Sequence, residues 1–362
     1  IHLTLIPYLS AAKELKTKPT QHSVKTLMES GVQADILVCR TEHELNDEIK
    51  EKLARFCNVN VDCVIESVDV NTIYDVPNHM YRERLDKVAL KKLKLNYNKP
   101  DLNSWNNFLK KYKNPKNAIK IALIGKYVEL QDSYKSILES FIHAGAVNEV
   151  EVNIVPLHSE FINSKNVHEK LESFNGILVA PGFGERGVEG KIEAIKYVRL
   201  NGIPFFGICY GMQMAVIEYA RNVLNLHDAN STEVNPNTNN PVIDLMEEQK
   251  NITDKGGTMR LGSWACDIVK ETLCHSVYKT ESIDERHRHR YELNNKYLEQ
   301  LHEKGLIASG KNKDTNLVEV VEIKNHPWFI GVQFHPEYKS TVLSPHPLFV
   351  SFVSAAILNK SK

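Results

Sequence analysis

Between Ile119 and Asn222, short apolar runs alternate with longer amphipathic stretches, and this alternation leaves few folds open. IKIALIG (119–125), VEVNIVPL (150–157), GILVA (176–180) and IPFFGI (203–208) read as strands. Asp132–His143, Glu189–Leu200 and Gly211–Asn222 carry helical spacing. Strands alternating with helices form parallel βαβ units with right-handed crossovers. The expected fold is therefore α/β, an open and mostly parallel sheet flanked by helices. Further on the pattern turns β-rich, with LVEVVEI (317–323) and FIGVQF (329–334) as the last strands, and the polar, Asn-rich stretch 227–256 reads as a loop.

The first 95 residues repeat the α/β theme on a smaller scale. HLTLIP (2–7), ADILVC (34–39) and VIESVDV (64–70) read as strands; Gln21–Ser30, Glu44–Phe56 and the lysine-rich Lys87–Leu95 read as helices. Residues 96–118 are Asn-rich, hold Pro100 and Pro115, and read as a linker with one short helical turn. The boundaries expected are thus 1–95, a linker 96–118 and a second domain 119–362, in keeping with a length of 362 residues. Lys+Arg and Asp+Glu both number 45, so no global field points to nucleic acid or to an anionic membrane. No apolar run approaches the ~18 residues of a membrane span. No secretory signal is visible at the start, and the six cysteines form neither a CxxC pair nor a zinc pattern, so free thiols in a reducing cytoplasm are expected. The chain opens at Ile1 inside a strand pattern, which suggests a truncated N-terminus.

Phe206-Gly207-Ile208-Cys209-Tyr210-Gly211-Met212-Gln213 is the most informative segment. A strand runs directly into a helix with one Cys at the junction, as in a nucleophile elbow. Gly207 and Gly211 would permit the tight turn and the approach of a substrate. At the helix N-terminus the unpaired N–H groups favour a thiolate, and the Tyr210 N–H points to whatever the sulfur attacks. His335-Pro336-Glu337 follows the strand FIGVQF. Open α/β sheets place their sites past the C-terminal ends of strands, so Cys209, His335 as base and Glu337 as its orienter form a candidate triad.

Pro181-Gly182-Phe183-Gly184-Glu185-Arg186-Gly187 matches a dinucleotide-binding fingerprint. The next strand ends in Cys209 without the ribose-binding acid, and the strand is not the first of its domain, so an NAD-dependent oxidoreductase is disfavoured. The better reading is a loop whose Gly182 N–H joins the Tyr210 N–H in an oxyanion hole, each donor worth ~2.7–4 kcal/mol.

FGIC-x-GMQ, the PGFGxRG loop and the final HPE resemble the class I glutamine amidotransferases. ANSTE (229–233), GGTMRLG (256–262), ERHRHRYELNN (285–295) and KTKPTQHS (16–23) narrow the resemblance to the CTP synthase family, over nearly the whole chain. The resemblance implies that Cys209, His335 and Glu337 hydrolyse glutamine. It implies glutamine contacts from Gly182, Tyr210, Gly211, Met212, Gln213, Glu233 and Arg290, with Glu233 for the ammonium and Arg290 for the carboxylate. Ammonia would then aminate UTP to CTP at the expense of ATP.

Lys16, Lys18, Gln21 and Lys52 are implied for UTP and CTP, and Arg40 for ATP; near a helix start such groups suit a triphosphate. The resemblance further implies GTP as activator, CTP as inhibitor, Mg2+, and a homotetramer, with filaments as a further form. No G-x-x-x-x-G-K-[ST] occurs, so the main ATP and Mg2+ elements, and the first half of the amidoligase domain, are expected to precede Ile1. No metal ligands are expected in this chain, and the chain alone is not expected to complete the synthetase step. Two residues depart from the family pattern, Tyr210 where Leu is usual and Pro181 where Gly is usual. A stand-alone glutaminase and a non-catalytic filament subunit are the competing readings.

Overall fold

The computed structural model describes residues 1–245 and 259–361. The end of the polar stretch 227–256 and Gly256–Thr258 of the GGTMRLG motif lie outside the described residues. The chain divides into two compact units, Ile1–Leu109 and Lys110–Lys362.

In the first unit, strands β1 (His2–Ile6), β2 (Leu37–Thr41) and β3 (Val64–Val68) form a parallel sheet in that order. Helix α1 (Lys18–Glu29) starts three residues before the sequence pattern suggests, because Pro19 is tolerated in a first turn that needs no intrahelical N–H donor. Past its end, Gly31 takes φ 81°, a conformation that suits glycine. Helix α2 (Asp47–Cys57) is capped by the Asn46 side chain, which accepts from Ile49 N at 2.9 Å, and closes on Asn58 in the left-handed region. Ile6, Val24, Leu37, Leu53 and Cys57 form the core between sheet and helices. Two short helices follow, α3 (Val76–Arg82) and α4 (Leu85–Lys92). The segment read as a linker contains an 11-residue helix, α5 (Asn103–Lys113), rather than a single turn. Its Trp105, Phe108 and Leu109 recur at helical spacing, a pattern outweighed in the reading by the surrounding Asn and Pro.

The second unit is built on a nine-stranded sheet with a small sheet beside it. β4 (Asn117–Gly125), β5 (Val150–His158), β6 (Gly176–Val179) and β7 (Phe205–Ile208) come first in the chain. β8 (Pro241–Leu245) belongs to a small separate sheet. β9 (Arg260–Ile268), β10 (Ser282–His289), β11 (Tyr291–Leu293), β12 (Leu306–Lys311), β13 (Val318–Ile323) and β14 (Phe329–Val332) complete the set, with β11 paired to β8. The large sheet runs β10-β9-β12-β13-β14-β7-β6-β4-β5. It is parallel from β14 through β5 and antiparallel from β10 through β14.

Alternate residues of the parallel strands feed two cores. Ala122, Ile124 and Phe205 face α7 (Val188–Asn201) and α8 (Tyr210–Asn222), while Ile121, Leu123 and Phe206 face α6 (Lys135–Asn148) and α9 (Pro347–Lys360). The β9–β10 ladder was not read from the sequence. In β10 the side chains alternate, with Glu285, His287 and His289 buried and Arg286 and Arg288 exposed, so its inward face is polar and gives no apolar signal.

Candidate active site

Cys209 stands between β7 and α8 with φ 52° and ψ −102°. That conformation costs about 1–3 kcal/mol for a residue with a Cβ and persists only where packing enforces it. Here Cys209 N donates to Val332 O at 2.7 Å, tying the bend to β14. Gly211 lies so close to β6 that a Cβ would stand 2.2 Å from Val179 O, and one on Gly207 would stand 2.8 Å from Gly211 C. The space these glycines leave is thus filled by backbone and seats α8 on the sheet; it does not open to a substrate. Tyr210 occupies the first position of α8, where backbone N–H groups lack intrahelical acceptors.

β14 pairs with β7 in parallel, Val332 opposite Ile208. The residues that follow each strand therefore meet at the C-terminal ends of two central strands. His335 Nδ1 and Glu337 Oε1 are 2.7 Å apart and both residues are buried. The His335 ring stacks on Tyr338 at 5.2 Å, and its backbone N donates to Arg286 O at 2.8 Å. Burial by itself would lower the His335 pKa. The Cys209 sulfur in front of the ring, and Glu337 behind it, outweigh burial and push it up to about 11. Gln333, two residues earlier, donates to Cys209 Sγ at 3.8 Å.

Opposite the sulfur, the loop 181–184 is held at three points. Lys126 Nζ donates to Phe183 O, the Tyr210 hydroxyl donates to Gly184 O at 2.5 Å, and Gly184 N donates to Glu233 Oε1 at 2.9 Å. Burial raises the Glu233 pKa, against the Gly184 N–H and the cations Lys126, Arg290 and Lys191.

Gly182, Cys209, Tyr210, Gln213, Glu233, Arg290 and His335 line one cavity of about 550 Å³, a size suited to a small ligand. Glu337 lies behind His335. Gly211 and Met212 do not line this cavity: Gly211 is pressed on Val179, and Met212 is fully buried against Gly331. Lys126, Lys191, Gln333 and Tyr338 escaped the sequence reading. Only Gln333 left a signal, as an amide at the end of the apolar strand pattern FIGVQF.

In the first unit, Lys16, Lys18 and Gln21 gather at the start of α1, where the Gln21 side chain donates to Thr17 Oγ1 at 3.2 Å and Lys16 pairs with Glu14. Lys52 lies on α2, and Arg40 on β2, paired with Asp69 at 3.4 Å. Among the described residues no group of three or more His, Cys, Asp or Glu side chains converges as a metal site. No step proposed for this chain is routed through Mg2+.

Residues 129–355 match the family described as glutamine amidotransferase class-I, and residues 1–95 match that described as CTP synthase N-terminus. The CTP synthase of Flavobacterium johnsoniae is 68% identical over 99% of this chain and 67% of its own length. The chain belongs to the CTP synthase family. The relative from Bacteroides fragilis is 54% identical over 99% of the chain and 67% of its own length. A glutaminase domain of CTPS from Trypanosoma brucei, solved with bound acivicin, is 38% identical, covers 66% of this chain and 94% of its own, and superposes with a TM-score of 0.63. This member of the CTP synthase family thus spans about two thirds of the length of its curated relatives.

Proposed function

We propose that residues 110–362 release ammonia from glutamine and that the whole protein uses it to aminate UTP to CTP with ATP. The observation that carries this reading is that Cys209 and His335, the latter backed by Glu337, line one cavity with an acid, Glu233, and a base, Arg290. Glutamine enters with its ammonium toward Glu233 and its carboxylate toward Arg290. The Cys209 thiolate adds to the side-chain amide carbon, and the amide oxygen becomes an oxyanion facing the Gly182 and Tyr210 N–H groups. His335, an imidazolium while the thiolate faces it, gives its proton to the departing nitrogen, so ammonia leaves and a thioester remains. Neutral His335 then takes a proton from water, hydroxide adds to the thioester, and glutamate departs as the sulfur regains its electron pair. Glu337 keeps the imidazole oriented through Nδ1 throughout.

The nucleotide side of this reading rests on membership of the family. Lys16, Lys18, Gln21 and Lys52 would receive UTP or inhibitory CTP and Arg40 would meet ATP; GTP would act as activator. A homotetramer that can form filaments, and a cytoplasmic location, belong to the same reading. Six buried, unpaired cysteines suit a reducing compartment.

The deciding experiment is Cys209→Ala in the full-length protein. Glutamine-dependent CTP formation and glutamate release should vanish while ammonia-dependent CTP formation persists. Survival of glutamate release, or equal loss with both nitrogen donors, would remove Cys209 from its role.

A further inference from the structure

Lys191 is the fourth residue of α7 and is completely buried. Its Nζ has no hydrogen-bond partner. It sits 4.6 Å from the centre of the Tyr210 ring, and a Cβ on Gly182 would lie 3.6 Å from it. The ammonium therefore lies beside the two residues whose N–H groups are assigned to the oxyanion hole in the proposed function.

Nothing about packing asks for a cation here. Methionine would fill the same space against Tyr210 without the cost of desolvating a charge. The helix start adds to that cost, since the positive end of the helix dipole disfavours a cation. So does the nearby cation Lys126. What favours the charge is the Cys209 sulfur and Glu233. Three carboxylates on and around α7 are engaged elsewhere: Glu160 with Arg186, Glu218 with Arg199, and Glu189 with Arg221.

We propose that Lys191 is a positioning residue of the glutaminase site, whose buried ammonium supports the anion on Cys209 and then on the amide oxygen without touching substrate. This rests on the glutaminase reading above. As the sulfur adds to the amide, negative charge moves from Sγ to an oxygen lodged against Gly182 and Tyr210. It stays next to the same ammonium, in surroundings that exclude water, where one charge acts strongly on another. Lys191 needs no bonded partner of its own because its counter-charge is the reacting centre. Burial, followed by Lys126, pushes its pKa down to about 7 against the pull of Cys209 and Glu233, so its charge depends on theirs.

The test uses Lys191→Met in the full chain, with three readouts: melting temperature, the pH dependence of Cys209 alkylation by iodoacetamide followed by peptide mass, and kcat and KM for glutamine across pH. The variant should melt no lower than wild type. The midpoint for Cys209 alkylation should rise by about one pH unit. The kcat should fall about tenfold with KM nearly unchanged. An unchanged alkylation midpoint together with unchanged kcat would overturn the assignment. Should the methionine variant fail to fold, Lys191→Gln, uncharged but polar, replaces it with the same two outcomes. Wild-type protein that releases no glutamate would instead defeat the glutaminase reading, whereas alkylation reads the charge on Lys191 without glutamine.

Discussion

At the scale of single residues, the site is a set of charges that are buried together because each needs another. His335 shows this most directly. Burial opposes its proton, yet Cys209 and then Glu337 hold it, and the pKa reaches about 11. An unfolded histidine titrates near ~6.5. This proton therefore stabilises the fold in full below that pH, and the contribution is lost as pH rises through about 11. Replacing Glu337 with Gln removes one of the raising charges and keeps the shape. The alkaline limb of glutamine hydrolysis should move down by roughly one to three pH units, and the melting temperature should begin to fall at a lower pH than in wild type. A pH–rate profile alongside melting curves checks both, and an alkaline limb that stays in place or moves up would show that Glu337 does not hold the proton. Tyr210 contributes in another way: its hydroxyl reaches the loop 181–184 through Gly184 O, a contact unavailable to leucine.

At the scale of elements, the elbow works because α8 can press onto β6. Gly211→Ala would place a methyl 2.2 Å from Val179 O, and the obstacle is backbone on both sides. Strain of this kind costs about 3 kcal/mol. Urea unfolding should show the loss as a lower midpoint, and glutamine turnover should fall with it because Cys209 moves with the helix. Wild-type stability in this variant would mean that α8 can shift without cost. The elements that carry the elbow were legible in the sequence because they are apolar and periodic: GILVA and IPFFGI are strands at or within two residues of where their spacing put them, and Gly211–Asn222 is helical. β9 and β10 were not legible, since the face they turn inward holds Arg260, His287 and His289, which lie against Glu319 of β13 and Glu292 of β11. Periodicity of hydrophobic residues says nothing about a sheet face built from polar groups. Lys191 was hidden for the same reason: a lysine on a helix reads as solvated until the fold shows what covers it.

At the scale of the whole molecule, the cavity is confined to one part of the chain. Every residue of the cavity, from Tyr127 to Tyr338, falls in the unit Lys110–Lys362. That unit has a nine-stranded sheet with a core on each face, enough to fold without residues 1–102. A fragment of residues 103–362, which keeps α5 whole, should therefore melt cooperatively and convert glutamine to glutamate. It should not make CTP from any nitrogen source, because Lys16, Lys18, Gln21, Arg40 and Lys52 are all gone. Circular dichroism, glutamate release and CTP formation separate the possibilities. A fragment that folds natively yet leaves glutamine intact would mean that residues outside the sheet complete the site, and the division of labour drawn from the cavity would fall. A fragment that hydrolyses glutamine at the full chain's rate would place the elbow, the triad and the charge beside the oxyanion hole in one self-sufficient unit.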